Sequence, residues 1–356
     1  MRYGLIPTRL AERLAVWFGR VPVTVGDCLL PLLQTRSLMA AVRLGIVDAL
    51  GRREMPAAEV ARSCGLDEDS VEMLLRVLVS ARYISMRPPS ADRQTRYRLS
   101  PLGLRALLPG GSLEARGYVQ WNYVQWDLIE NLENLLETGR GIDFHEQLRG
   151  ATHWHWYQQA MLDLARVAAP VLADLVPVKT GARLLVDVGG SHGLLGAAIC
   201  RRHPPMRSIV LELPAAVDEA RAAARRAGVT DVVEHRAANV LEDDVPGDID
   251  LVLLANVIHH FTRGQALQVL QKSRAALAPG GVVAIWDFDR RVPGAEPDLA
   301  ADASALYFRL TSASQVVPGD EYAAWLREAG FDDVQVKRSI LAPIQVLAAG
   351  TRKQSG

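Results

Sequence analysis

The first region of the chain, residues 29 to 110, has apolar positions at helical spacing. The segment "LLQTRSLMAAVRLGIVDAL" fits an amphipathic helix, and "AAEVARSCGLDEDSVEMLLRVLVSARYI" fits a helix, a turn and a second helix. Gly65 is suited to end the first helix of this pair, and Asp67 to cap the second. Two short β-type segments follow, "YISM" and "RYRLS", separated by the Pro/Ser/Asp-rich "RPPSADRQT". The pattern predicts a winged helix, with "LLPGG" as a linker after it.

Residues 112 to 178 also show helical periodicity, and they are rich in aromatic side chains. They include Tyr118, Trp121, Tyr123, Trp126 and the run "HWHWYQQAM" at 153 to 161. Aromatic residues at helical spacing most often pack in a core. Their density also makes segment 118 to 161 the candidate wall of a site for a flat apolar ligand.

From residue 182 the pattern alternates between strands and helices. Apolar strand segments are "RLLVDVG", "SIVLEL", "DVVEHR", "IDLVLLAN" and "GVVAIWDF". Helical segments are 194–203, 215–227, 265–278 and 320–329. Continuous apolar strands between helices predict a parallel sheet covered on both faces. "DDVQVKR" and "IQVLAAG" lie too close together for a parallel crossover, so they are predicted to pair antiparallel at the sheet edge.

These patterns predict an α/β fold. We expect a Rossmann-like, mostly parallel seven-stranded sheet preceded by a mainly helical winged-helix domain. The predicted organisation is a helical winged-helix domain at 1–110, a helical connector and candidate pocket wall at 111–178, and a Rossmann-like domain at 179–356.

Composition narrows the function classes. Lys plus Arg equals Asp plus Glu at 40 each, so no global charge favours nucleic acid or an anionic membrane. The apolar fraction of 49% suffices for a core, while no uninterrupted apolar run is long enough for a bilayer. Met1 to Gly19 lacks the pattern of a secretory signal, and the three cysteines are too widely spaced for a disulfide framework or a Cys-based zinc site. We expect a soluble cytoplasmic protein.

The winged helix raises the hypothesis of a DNA-binding regulator. From Ala57 to Tyr83 there are five acidic residues against three basic ones. The helix that would enter the major groove begins with Asp67, Glu68 and Asp69, which have the wrong sign for a phosphate backbone. A dimerisation role is favoured, because the apolar helices before it need to be covered.

The segment "LLVDVGGSHGLLG" at 184 to 196 predicts a ligand-binding turn between a strand and a helix. Glycine allows close approach of backbone to a ligand at the carboxyl edge of a sheet. Glu212, at the end of the next strand, is suited to accept hydrogen bonds from ribose hydroxyls. The turn departs from G-x-G-x-x-G, since Ser191 stands where the second glycine would be. Asp187 disfavours a pyrophosphate and suits the ammonium of a methionine moiety, which favours S-adenosylmethionine over a dinucleotide.

Five motifs together carry a family resemblance: "DVGGSHG", "VLELP", "LANVIHHF", "LAPGG" and "WLREAGF". They resemble the class I S-adenosylmethionine-dependent methyltransferases, in particular the caffeic-acid/hydroxyindole type of small-molecule O-methyltransferase. The resemblance covers nearly the whole chain, because that family also has a dimerising winged-helix domain. It implies S-adenosyl-L-methionine as cofactor, a homodimer, and a hydroxylated aromatic or polyketide-like natural product as acceptor.

The resemblance also implies roles for individual residues. The implied cofactor-binding residues are Asp187, Gly189, Gly193, Glu212, Leu213, Asn239 and Val240. The implied general base is His259, with Asp287 orienting it. The implied acceptor pocket contains Trp156, Tyr157, Met161, Asn256 and His260. Three positions depart from the pattern: Asn239 stands where the family usually carries Asp, His260 stands where plant members carry Asp, and Val316 stands near the position of a second acid.

The paired histidines leave alternatives open. A neutral imidazole, with an ordinary pKa of about 6.5, suits a general base for a phenol or alcohol. Alternatively, His259 only ends the strand and bonds a backbone carbonyl. A metal site built from His192, His259, His260 and Asp287 is disfavoured, because no i, i+4 pair or cysteine pair accompanies them. We therefore expect no metal.

Three functional alternatives to O-methylation also remain at this point. In the first, the chain methylates a carbon or nitrogen atom, which needs no strong base. In the second, the same fold binds the cofactor for non-methylating chemistry. In the third, the winged helix makes the protein a transcription regulator.

Overall fold

The computed structural model describes residues 6–7, 9–89, 94–142, 144–148, 150–290, 292, 294–312 and 314–353. The chain divides into two compact units, Met1–Tyr123 and Val124–Gly356. Each has its own buried apolar residues. Within the described ranges, no helix is long and apolar enough to cross a membrane.

The N-terminal unit is a winged helix, as predicted. Its elements are α1 (Leu10–Trp17), α2 (Val23–Arg43), α3 (Ile46–Leu50), α4 (Ala57–Cys64), α5 (Glu68–Ser80), β1 (Ile84–Arg87), β2 (Arg96–Leu99) and α6 (Pro101–Leu107). The strands β1 and β2 pair antiparallel and form the wing. Helix α7 (Arg116–Ile129) runs across the division between the two units.

Local signals set the boundaries of these helices. Gly65 ends α4 with φ +67°, and the Asp67 carboxylate accepts the Ser70 N–H at 2.8 Å at the start of α5. Both were predicted. Leu75 and Leu78 of α5 and Tyr97 of β2 are fully buried. The amphipathic helices and the wing therefore share one core.

The C-terminal unit alternates strands and helices. Its strands are β3 (Leu184–Val188), β4 (Arg207–Glu212), β5 (Val233–Ala237), β6 (Ile249–Ala255), β7 (Leu277–Phe288), β8 (Asp332–Ser339) and β9 (Ala342–Thr351). Its helices are α8 (Leu132–Thr138), α9 (Phe144–Gln147), α10 (Gly150–Leu175), α11 (Leu194–Arg202), α12 (Val217–Ala227), α13 (Arg263–Ala276), α14 (Leu299–Thr311) and α15 (Gly319–Glu328). A single 3-10 turn, Ile258–His260, follows β6.

The sheet has the order β5-β4-β3-β6-β7-β9-β8. Five neighbouring strands, β5 to β7 in this order, are parallel, and β9 pairs antiparallel with both β7 and β8. The mostly parallel seven-stranded sheet and the antiparallel final pair are therefore confirmed. The chain leaves β3 towards β4 on one side and returns to β6 on the other, which creates a topological switch point between β3 and β6.

Two apolar layers cover the sheet. Residues of α13 and α15, such as Leu270 and Leu326, pack on one face. Residues of α10 and α11, such as Leu172 and Ile199, pack on the other. Helix α14 was not predicted: four of its 13 residues are alanines, whose small side chains give little apolar periodicity, and it follows a Pro- and Gly-containing segment. Asp298 caps α14 by accepting two backbone N–H groups, at 3.1 Å each.

Candidate active site

The glycine-rich turn lies at the switch point of the sheet. It follows β3, and its Gly189 has φ +63°, which a residue with a side chain rarely adopts. A Cβ on Gly189 would lie 2.9 Å from the Val257 side chain, in the segment after β6. The turns that follow β3 and β6 are therefore in direct contact. Gly193, with φ +73°, begins α11.

Asp187 lies beneath this turn. It is fully buried, and a Cβ on Gly190 would be 2.3 Å from its Cγ. Burial, together with the nearby charge of Glu212, raises the pKa of the Asp187 carboxyl to about 7. Among the described residues, no hydrogen-bond partner satisfies either carboxylate oxygen. A buried carboxylate of this kind suits a cationic ligand. Contact of Asp187 with an ammonium group stays a prediction.

Glu212 ends β4 beside the turn. Its Oε2 accepts the Ser191 N–H at 3.0 Å, and its Oε1 accepts the Leu213 N–H at 2.9 Å. A carboxylate is an acceptor-only group with about four lone-pair sites, so Glu212 is of the type that accepts the two hydroxyls of a ribose. Leu213 itself is partly exposed next to this carboxylate. Contact of Glu212 and Leu213 with a nucleoside stays a prediction.

Asn239 and Val240 follow β5 at the same edge. The Asn239 Oδ1 accepts the Leu241 N–H at 3.2 Å, while Val240 is nearly buried. An amide that retains its NH2 group beside an apolar side chain suits one edge and one face of an adenine ring. The parallel strands thus carry all the predicted cofactor residues to one edge of the sheet.

Ser191 is held from three directions. Its φ of +52° costs a residue with a side chain about 1–2 kcal/mol. Its N–H donates to Glu212 at 3.0 Å, its carbonyl oxygen lies 2.8 Å from Nε2 of His235, and its hydroxyl donates to Gln158 of α10. These bonds offset the cost of the left-handed conformation.

His259 and Asp287 are in contact. The Nδ1 atom of His259 lies 2.7 Å from Oδ1 of Asp287, with both side chains buried. The same carboxylate accepts the Phe288 N–H at 2.7 Å. Because a carboxylate only accepts, the bond selects the His259 tautomer with its proton on Nδ1. The other nitrogen, Nε2, then carries a lone pair.

This Nε2 atom has no hydrogen-bond partner within the described part of the chain, although it is buried. Aromatic rings surround the imidazole: Phe308 has its centroid 4.2 Å away, Phe288 5.8 Å and His260 4.1 Å. A buried acceptor without a partner needs an explanation. An incoming hydroxyl group would satisfy it.

Two of the predicted acceptor-pocket residues, Tyr157 and His260, are linked to each other through the ring of Phe144. Tyr157 contacts the Phe144 ring at 5.3 Å, and Phe144 contacts the His260 ring at 5.6 Å. Burial raises the pKa of the Tyr157 phenol well above its usual value, with the charge of Glu212 adding to the effect, so Tyr157 lies near both predicted sites. His260 also hydrogen-bonds Ser312 at 2.8 Å through Nδ1.

Among the other three members of the predicted pocket, Trp156 and Asn256 contact residues other than His259 and His260. Trp156 stacks on His153 on a neighbouring face of α10, with the ring centroids 5.9 Å apart. Met161 is half-buried on the same helix. Asn256, with φ +52°, accepts a 2.8 Å hydrogen bond from Gln345 of β9. Their contact with an acceptor stays a prediction.

Several residues of the site were not predicted. Phe308 belongs to α14. The local sequence offers only the adjacent aromatic residues Tyr307 and Phe308 near the end of this helix as a hint that it contributes to a pocket. Phe288 follows Asp287 directly, and Phe144 lies in the short helix α9. Gln158 and His235 contact the turn, but nothing in their local sequence indicates this. They meet the turn only through the packing of α10 and β5.

Metal chemistry finds no support in the residues that the structure describes. No three His, Cys, Asp or Glu side chains among them are arranged to share an ion. His192, one of the residues considered, is buried and uses Nδ1 to accept the Leu194 N–H at 3.0 Å. Burial lowers the pKa of His192 to about 4, so the ring is neutral.

A groove of about 530 Å³ lies elsewhere, on the outer surface of α10 and α11. Its arginines include Arg166 and Arg202, which pair with Asp163 and Asp174. It contains none of the predicted site residues.

The chain matches two family models. The model described as an O-methyltransferase domain matches residues 121–332, which is more than half of the chain, and the model described as an O-methyltransferase dimerisation domain matches residues 29–108.

Characterised relatives span almost the whole chain. It is 26% identical over 348 residues to a 3-hydroxy-5-methyl-1-naphthoate 3-O-methyltransferase of Streptomyces sahachiroi, covering 93% of this chain and 95% of that protein. It is 28% identical to a 3-amino-4-hydroxybenzoate 4-O-methyltransferase of Streptomyces cremeus, covering 87% and 86%. The crystal structure of human N-acetylserotonin methyltransferase in complex with SAM superimposes with a TM-score of 0.82 at 19% identity, covering 98% of this chain and 100% of that one.

Proposed function

Because the chain belongs to the family of S-adenosylmethionine-dependent O-methyltransferases, we propose that it methylates a hydroxyl group of an aromatic or polyketide-like small molecule, with His259 as general base. The observation that carries this proposal is the buried His259 Nε2 atom, which has no partner in the described structure while Nδ1 is held by Asp287. Carbon or nitrogen acceptors that need no strong base would not require such a pair.

The cofactor site consists of the turn after β3 and the ends of β4 and β5. Glu212 would receive the ribose hydroxyls, Asn239 and Val240 the adenine, and Asp187 the charge of the ammonium group. When bound, S-adenosylmethionine supplies an electrophilic methyl group on a sulfonium. The chain has to align the acceptor oxygen with that methyl group and remove a proton from it.

His259 takes up this proton. The lone pair on Nε2 accepts the hydrogen of the acceptor hydroxyl, and the imidazole becomes a cation. Asp287 stabilises that cation through the 2.7 Å bond to Nδ1 and keeps the ring oriented. The surrounding Phe288 and Phe308 rings exclude water from the pair, which strengthens its electrostatic interaction.

The aromatic side chains near His259 support a planar acceptor. Tyr157, Phe144, Phe288 and Phe308 provide ring faces and edges, against which an aromatic ring packs favourably. The names of the two Streptomyces relatives describe hydroxylated naphthoate and benzoate acceptors. We propose an acceptor of the same general kind, a small hydroxylated aromatic natural product.

The test is to replace His259 with alanine and to measure methyl transfer and cofactor affinity separately. A panel of hydroxylated naphthoates and benzoates provides the acceptors. We expect turnover to fall about 10²- to 10⁴-fold, while the affinity for S-adenosylhomocysteine by calorimetry stays within about twofold. Unchanged turnover would remove His259 as the base.

Mass spectrometry of the product locates the new methyl group on oxygen, carbon or nitrogen. Release of S-adenosylhomocysteine during turnover distinguishes methylation from other chemistry.

We further propose a cytoplasmic homodimer formed through the N-terminal unit. This unit contains the region that matches the dimerisation model, and it exposes large apolar side chains on α1 and α2, including Leu10, Trp17, Leu29 and Leu33. Sedimentation velocity at micromolar protein should give the mass of two chains.

Nucleic acid is an unsuitable partner, because the exposed Glu68 and Asp69 begin α5. A gel shift with duplex DNA at low salt should therefore show no complex.

A further inference from the structure

The cofactor turn is hydrogen-bonded to helix α10. The Ser191 hydroxyl donates to Oε1 of Gln158, and the buried His192 ring lies near the backbone of Met161. Gln158 is almost completely buried. Residues 158 and 161 are three positions apart, so they lie on adjacent turns of one face of the helix. This connection is separate from the His259–Asp287 pair.

The same helix carries three of the residues predicted for the acceptor pocket, which are Trp156, Tyr157 and Met161. Tyr157 lies next to Gln158 in sequence, and the backbone of Met161 lies near His192. A change in the position of the turn therefore acts directly on the segment 157–161. The helical segment predicted to line the acceptor pocket is thus hydrogen-bonded to the predicted cofactor turn.

We propose that the Ser191–Gln158 contact couples the two binding sites, with Gln158 as a positioning residue through which cofactor binding at the turn orders the 157–161 segment of α10. This inference rests on the proposed function, because it takes the turn at 187–193 as the cofactor site. Gln158 is only 1% exposed, so its amide group is shielded from solvent where it contacts the turn.

The serine itself supports this assignment. Glycine adopts φ near +52° without strain, whereas serine does not, yet Ser191 occupies this position. Only a side chain at 191 can reach Gln158. The backbone of Ser191 is fixed independently by Glu212 and His235, at 3.0 Å and 2.8 Å, so the hydroxyl is not needed to hold the turn. What the hydroxyl adds is the contact with α10.

His192, the next residue, lies inside the same turn. Its ring is buried, and its Nδ1 accepts the Leu194 N–H at 3.0 Å, which leaves the ring proton on Nε2. His192 therefore takes part in the hydrogen bonding of the turn, while the Ser191 hydroxyl makes the contact with Gln158 of α10.

The test uses S-adenosylhomocysteine as the probe and needs no acceptor. Calorimetry gives its affinity, and hydrogen–deuterium exchange reports on peptides covering 155–165. In the natural protein we expect the probe to slow exchange in this segment. In Ser191→Gly the turn keeps its favoured backbone conformation, but the protection of 155–165 should be lost and the affinity should fall about tenfold, a typical coupling between sites. Gln158→Leu should have the same effect.

The double variant and a control make the test specific. If the hydroxyl and the amide act through each other, Ser191→Gly combined with Gln158→Leu should weaken the probe no more than either change alone. Gln159→Leu serves as the matched control, because Gln159 is the adjacent residue of the same type and lies beside Arg226 instead of the turn. It should leave both the affinity and the protection of 155–165 unchanged.

Other results would overturn the inference. Protection of 155–165 that persists in Ser191→Gly and in Gln158→Leu would show that the contact does not carry the coupling. Fully additive losses in the double variant would show that the two residues act separately. Failure of the natural protein to bind the probe at all would instead refute the proposed cofactor site, and the inference with it, so the two failures are distinguishable.

Discussion

Asp287 holds His259 by two bonds, one to the ring and one to the backbone. Its Oδ1 lies 2.7 Å from Nδ1, and its Oδ2 accepts the His259 N–H at 3.4 Å. The carboxylate therefore fixes both the tautomer of the imidazole and the position of the 3-10 turn that carries it. The opposite nitrogen is directed away from this support, where a reacting group can meet it.

Replacing Asp287 with asparagine should lower the rate of methyl transfer by about 10²- to 10⁴-fold. The amide keeps the size of the side chain, but it permits the tautomer in which Nε2 is protonated and cannot act as a base. The measurement is single-turnover kinetics at saturating cofactor. The affinity for S-adenosylhomocysteine should stay within about twofold of the natural value, and a rate within about threefold would contradict the orienting role.

Phe308→Ala should lower kcat/KM for an aromatic acceptor by about tenfold. Phe308 packs on His259 at 4.2 Å and on Phe288 at 4.4 Å, and aromatic pairs contribute about 0.5–1.5 kcal/mol beyond their buried area. Leu306→Ala, on the same helix and half-exposed, is the matched control and should change kcat/KM little. Equal losses in both variants would mean that Phe308 acts only through the stability of α14.

Asp187→Asn should change how stability depends on pH. The folded-state pKa of Asp187 is about 7, well above that of an unfolded chain, so the folded state holds a proton that the unfolded state has lost. The stability from this group is fully present below about pH 4 and falls as the pH rises to about 7. The variant should therefore lose less stability than the natural protein between pH 4 and pH 8.

The size of this effect reaches a few kcal/mol, at about 1.4 kcal/mol for each pKa unit. Urea unfolding of the ligand-free protein at several pH values measures it. Asp244→Asn removes an exposed carboxylate and should follow the natural curve. A variant curve parallel to that of the natural protein would show that Asp187 does not titrate in this range.

Ser100→Ala should destabilise the N-terminal unit by about 1–2 kcal/mol. The buried Ser100 hydroxyl accepts the Gly103 N–H at 3.0 Å at the start of α6 and donates to the Arg82 carbonyl at 2.6 Å. The variant therefore loses a cap and a tie to the end of α5. Chemical denaturation is the measurement. The exposed Ser63→Ala variant is the control, and we expect its stability to stay within about 0.5 kcal/mol.

The sequence by itself determined the winged helix, the order of strands and helices around the glycine turn, and the family. These features depend on signals that act over a few residues. The caps at Gly65 and Asp67, the apolar run of β6 and the glycines at 189 and 193 all lie within the element they define. The antiparallel pairing of β8 and β9 was also predictable, because only two residues separate them.

Only the tertiary structure decided which distant side chains meet. His259 and Asp287 are 28 residues apart, and they touch because β6 and β7 pair in a register that brings Ala255 opposite Trp286. Phe308 reaches His259 through α14, whose short apolar side chains gave no strong periodic signal. Ser191 and Gln158, 33 residues apart, meet because α10 packs beside α11 on one face of the sheet. Strand register and helix packing are set by the whole core, so no local pattern encodes these contacts.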